Sequence, residues 1–127
     1  ARDALLRVEN MLGMGPTGLP PRVARQQLAS AVTAVLQVQR LQDGTRRLMS
    51  VAELTGLEGE VLLMQEIFVF EPTGTDDCGR VTGSFRATGV RPQFEARLQA
   101  KGLELPVHLF DPKRRWSSTG QALAREA

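Results

Sequence analysis

The chain has 127 residues, of which 42% are hydrophobic and 24% charged, with a net charge of +2. That composition suits one folded domain and excludes a disordered tail, and no apolar run reaches the roughly 20 residues of a membrane span. A single cysteine, Cys78, excludes an internal disulfide, so a cytoplasmic setting is the expectation.

The chain opens Ala-Arg-Asp without a methionine. Its first apolar group, Ala4 to Leu6, is followed at once by Arg7 and Glu9, which does not fit a secretory leader. This start reads as a fragment or a processed product, because helical character begins immediately.

Residues 2–14 form the first expected helix. Leu5, Val8 and Leu12, with Leu6 and Met11 beside them, make an apolar stripe, and Gly13, Gly15, Pro16 and Gly18 end it. Pro20 and Pro21 suit the first turn of a second helix, where a missing N–H costs nothing. Leu28, Ala31, Val32 and Val35 carry its apolar face to about Ala34. The period then changes. Residues 35–41 and 46–54 read as two strands around Asp43-Gly44, a strong hairpin signal. Gly56 and Gly59 bracket a second turn. Residues 60–71, EVLLMQEIFVFE, are the most strand-like segment, and their near-continuous apolar character implies burial on both faces. Pro72 is expected to stop that strand, and Gly74 and Gly79 to permit the turn that follows. A fourth strand covers 80–89, with Gly83 weakening it or marking a bulge. Pro92 starts a late helix, with Phe94 and Leu98 at i, i+4 and Gly102 as its stop. Residues 113–127 read as a weakly ordered tail.

The residues that usually carry chemistry are sparse. Neither lysine, Lys101 or Lys113, follows a glycine, so there is no phosphate-binding P-loop, and GxGxxG is missing too. His108 and Cys78 are thirty positions apart with no HxxxH or CxxC, which does not make a metal site. Asp76-Asp77-Cys78 lacks the alternating acids and bidentate glutamate of a calcium loop. Two flanking acids also disfavour a reactive thiolate. Fourteen arginines raise the question of nucleic acid, but there is no tyrosine and one tryptophan, Trp116, to supply stacking. Phe68, Phe70, Phe85 and Phe94 fall at core positions, so no nucleic-acid partner is expected.

Charge is segregated along the chain. Residues 20–41 carry Arg22, Arg25 and Arg40 and no acid, residues 48–79 carry seven acids and no base, and residues 80–101 turn basic again. Such blocks neutralise one another within the fold or pair across a subunit interface. Arg22 and Arg25 are the candidate interface residues.

Three stretches carry a family resemblance. ARDALLRVENML opens the chain, residues 19–74 follow with R-Q-Q-L-A-S-A-V, T-G-L-E-G-E and F-V-F-E, and residues 79–106 contain F-R-A-T-G-V-R-P. Together, over about residues 1–111, they resemble the C-terminal part of the CpaF-type ATPases, the motors of Tad pilus systems within the type II/type IV secretion ATPase family. The resemblance implies an α/β fold: the distal portion of a RecA-like P-loop ATPase domain, with two N-terminal helices, a strand-rich middle and one late helix. It leaves 112–127 as a tail. It implies a cytoplasmic, hexameric parent that hydrolyses ATP with Mg and is peripheral to the inner membrane through a platform protein. In that family the P-loop, acidic boxes and histidine box precede the segment matched here. The resemblance therefore implies no catalytic, cofactor-binding or metal residue in this chain, which is expected to be inactive alone. The alternative is a stand-alone protein- or nucleic-acid-binding module.

Overall fold

A computed structural model of the chain describes residues 2–16, 18–117 and Leu123. Two helices come first, α1 (Arg2–Met14) and α2 (Pro21–Ala31). Four strands follow, β1 (Ala34–Arg40), β2 (Arg46–Glu58), β3 (Val61–Thr75) and β4 (Val81–Ala87). A short helix α3 (Glu95–Gln99), a 3₁₀ turn (Val107–Phe110) and a last strand β5 (Arg115–Ser117) complete the described elements. The five strands form one antiparallel sheet in the order β1-β2-β3-β4-β5, each beside its neighbour in sequence. The protein is thus mixed α/β. None of the described helices is long and apolar enough to cross a membrane.

The double proline starts α2 as expected, with Pro21 at its first turn. The helix ends at Ala31, short of Ala34, because Val32 and Thr33 are β-branched and lead directly into β1. Ala24 and Leu28 are buried on α2, and Leu5 is buried on α1. Helix α2 packs on both α1 and β2.

The Asp43-Gly44 hairpin forms, with Gly44 at φ +80 in the conformation that glycine adopts without steric cost. Asp43 Oδ1 accepts hydrogen bonds from the Thr45 amide at 2.9 Å and its hydroxyl at 2.7 Å. Its other oxygen, Oδ2, accepts from the Val81 amide at 2.7 Å. One carboxylate thus ties the β1–β2 turn to the start of β4, two strands away. The second turn is Gly59-Glu60 alone. Gly56 lies inside β2, where the register with β3 shifts between Leu54 and Gly56.

β3 departs from its sequence reading in two ways. It does not stop at Pro72 but runs to Thr75, because Pro72 stands opposite Gly83 at a register shift, where an imino acid is tolerated. Nor is it buried on both faces: Ile67 and Phe70 are buried, while Val61 and Leu63 are exposed. A single antiparallel sheet with short helices covers only part of each face, so an apolar run need not signal two-sided burial. Gly83 is required for space. A Cβ there would lie 2.4 Å from the Glu71 carbonyl oxygen and 2.5 Å from Cζ of Phe70.

The late helix is one short turn and a half, Glu95–Gln99, flanked by turns, where the sequence reading extends from Pro92 to Gly102. Within the segment read as a tail, Arg115–Ser117 pairs with β4, placing Arg115 opposite Arg86 and Trp116 opposite Phe85. The reading of the residues beyond Ser117 as weakly ordered lies, Leu123 apart, outside the described residues.

Candidate functional site

The two interface candidates have different surroundings. Arg25 is engaged within the chain. Its Nε and a terminal nitrogen contact the Glu9 carboxylate at 3.0 and 2.8 Å, and its other terminal nitrogen reaches the Glu60 carbonyl at 3.1 Å and carboxylate at 3.3 Å. The hydrogen bond to Glu9 is the largest influence raising the Arg25 pKa. This guanidinium fastens α1, α2 and the β2–β3 turn together. Arg22, three residues earlier, is exposed.

Two ion pairs join the charge blocks inside the fold. Arg25 of the first basic block pairs with Glu60 of the acidic block. Glu71 of that block sits between Arg86, at 2.8 Å, and Arg115. The bond from Arg86, with Arg115 adding to it, holds the Glu71 carboxyl below its ordinary pKa. Within the second basic block, Arg91 grips Glu95 one helical turn away, with Nε at 2.9 Å.

The loop with adjacent acids and the cysteine is a turn. Its tip spans only 76–80, since strands occupy both flanks. Asp76 Oδ1 accepts from the Cys78 amide at 3.0 Å and the Arg80 amide at 2.8 Å, an Asx arrangement that closes the tip. Cys78 is an exposed free thiol, and His108 is exposed on the 3₁₀ turn. Among the described residues no three His, Cys, Asp or Glu side chains converge.

Glu53 has a role that the sequence reading does not assign. It counts there only as one acid of a block, yet it is 2% exposed in β2 between buried Ala52 and Leu54. Its carboxylate accepts from the Gln93 and Phe94 amides, both at 2.8 Å, and from Gln65 Nε2 at 3.0 Å. It thereby caps the segment that enters α3 from forty residues away in sequence. The available signal is a lone acid inside an apolar strand segment, SVAEL, since a charge in such a place needs partners.

A cleft of about 760 Å³ lies on the sheet where β2, β3, β4 and β5 run side by side. Its floor follows from the register. Val51 stands opposite Phe68, Phe70 opposite Phe85, and Phe85 opposite Trp116, so these side chains share one face. Phe68 stacks on Phe110 with ring centres 5.8 Å apart and meets Trp116 edge-on at 6.2 Å. Arg46 and Arg47, at the start of β2, line the cleft as well. The Arg47 guanidinium lies 5.0 Å from the centre of the Phe70 ring. Of the four phenylalanines expected in the core, Phe70 is buried, while Phe68, Phe85 and Phe94 are half-buried. Trp116, read as part of a tail, is a wall of the cleft. Chemically the cleft combines an apolar floor with two cations and has no nucleophile–base pair among its lining residues.

Comparison with protein-family models and with curated proteins finds no match to this chain.

Proposed function

We propose that the chain is the C-terminal part of the motor domain of a secretion or pilus-assembly ATPase of the CpaF type. On this reading it supplies sheet core and subunit contacts to a cytoplasmic hexamer peripheral to the inner membrane. ATP and Mg are held by upstream residues of the parent, and a platform protein in the inner membrane is its partner. The observation that carries the proposal is the ordered run of R-Q-Q-L-A-S-A-V, T-G-L-E-G-E, F-V-F-E and F-R-A-T-G-V-R-P.

In the fold these same stretches contact one another. Arg25, from the first, binds Glu60, from the second. Glu71 closes the third and pairs with Arg86 in the fourth. Thr88, also in the fourth, donates its hydroxyl to the Glu66 carbonyl at 2.7 Å.

The test is the reading frame upstream of Ala1. It is expected to encode GxxxxGKT followed by acidic and histidine boxes, and a frame without them overturns the proposal. The isolated chain should bind no ATP by calorimetry; micromolar binding would contradict the assignment of the nucleotide site to other residues.

A further inference from the structure

Most arginines that approach other charges here are matched by a carboxylate: Arg25 by Glu9 and Glu60, Arg86 and Arg115 by Glu71, Arg91 by Glu95. Arg46 and Arg47 differ. Neither forms an ion pair among the described residues, and both line the aromatic cleft. Asp43 is close enough for Arg47 to lower its pKa, but its oxygens already serve Thr45 and Val81. The Arg47 guanidinium lies over the Phe70 ring, a contact that leaves its N–H groups able to meet an anion. Beneath lies an apolar floor of half-buried Phe68, Phe85 and Trp116. The volume of about 760 Å³ is in the range of sites that enclose a bulky side chain or small ligand.

We infer that this cleft docks a segment of a partner protein that inserts one aromatic or aliphatic side chain and sets its own carboxylate beside Arg46 and Arg47. The argument is charge complementarity: two cations with no ion pair among the described residues, set at an aromatic floor, call for an apolar anchor with an adjacent negative charge. A polyanion fits less well. Exposed Asp76 and Asp77 occupy the turn at the same end of the sheet and would repel successive phosphates. Phe68 already contacts Phe110 and Trp116, which limits the free ring faces that a single-stranded nucleic acid needs. The inference stands on the cleft alone, whether or not the chain belongs to an ATPase.

The test uses the isotope-labelled full chain, titrated with an acetylated, amidated Glu-Leu-Phe-Glu peptide and with its neutral Gln-Leu-Phe-Gln counterpart. Saturable NMR shifts are expected at the amides of Leu48, Val51 and Phe85 and at the Trp116 indole N–H. The neutral peptide should bind at least about threefold more weakly, as two partly exposed ion pairs imply. In the Arg46→Gln, Arg47→Gln double variant that difference should vanish. Because Arg46 is exposed, Arg46→Gln alone keeps the fold and should narrow it. Absence of saturable shifts at the cleft would overturn the inference, as would equal affinity of the two peptides for the wild-type chain. So would displacement of the charged peptide by an oligothymidylate that binds the cleft more tightly.

Discussion

Replacing Glu53 by glutamine removes one acceptor and adds a donor at a site where three donors converge. The Gln93 and Phe94 amides at 2.8 Å use the two carboxylate oxygens separately, so a single amide oxygen can serve only one of them. The other N–H then faces an NH₂ group in an enclosure where Glu53 is 2% exposed and water has little access. A hydrogen bond to a charged acceptor contributes about 1.5–3 kcal/mol, and a buried donor left unsatisfied costs about 1–3 kcal/mol. The two figures overlap, so the expected loss is about 2–4 kcal/mol. That is a large share of the roughly 5–15 kcal/mol that stabilises a domain. Urea unfolding followed by Trp116 fluorescence measures it directly, because this tryptophan is packed edge-on against Phe68. With a slope of about 2 kcal/mol per molar, the midpoint should fall by about 1–2 M. Amide exchange at Gln93 and Phe94 should accelerate together. A midpoint shifted by less than about 0.3 M, with exchange at those two amides unchanged, would refute the capping role.

Other outcomes follow from the same geometry. Gly83→Ala should lose about 1–3 kcal/mol by overpacking, read as a lower melting temperature, because the added methyl meets backbone at 2.4 Å; an unchanged melting temperature would mean that the Pro72–Gly83 crossing relaxes freely. Asp43 has its pKa lowered to about 2, first by the Thr45 hydroxyl and then by the Val81 and Thr45 amides. A folded pKa below the unfolded one gives stability that is complete above the unfolded value and is lost as pH falls toward 2. Asp43→Asn should therefore be less stable than wild type at pH 6, and the gap should narrow as the pH falls toward about 2; a gap independent of pH removes this account. Arg22→Glu should leave the melting temperature of the isolated chain unchanged and impair ring assembly or ATPase activity in the proposed parent. Arg25→Glu should lower that melting temperature by breaking the Glu9–Glu60 clamp. If Arg22→Glu left assembly and activity at wild-type levels, the interface role of that residue would be wrong.

Local signals carried much of the fold. The Pro20-Pro21 start, the Asp43-Gly44 hairpin and the succession of the first four strands along the chain are written in short-range chemistry, and the structure follows them. The misjudged ends have a common cause. Pro72 stops a strand only if its neighbour demands an N–H, and whether Gly83 lies opposite is a long-range fact. Trp116 looks like part of a polar tail until β4 supplies a partner for it. The cleft was hidden in the same way, since Phe68, Phe85 and Trp116 are brought to one face by register. Composition foretold that opposite charges would meet, but not that Arg25 would choose Glu60 or that Arg86 would choose Glu71. Glu53 was the least legible, because two of its partners are backbone groups about forty residues away, and backbone leaves no mark in a sequence.

The Asp43 carboxylate also has a bearing on how this chain can change in length. One oxygen shapes its own turn and the other reaches β4, so an insertion between Leu41 and Thr45 would disturb two junctions at once. The tip at 76–80 closes on itself, and among the described residues the Asp76 carboxylate serves only that tip. Doubling that loop should cost only about 0.6 kcal/mol in closure entropy. Two turns at the same end of one sheet therefore differ in their tolerance of insertions: the first acts as a ruler of fixed length, and the second is where added sequence would be accepted.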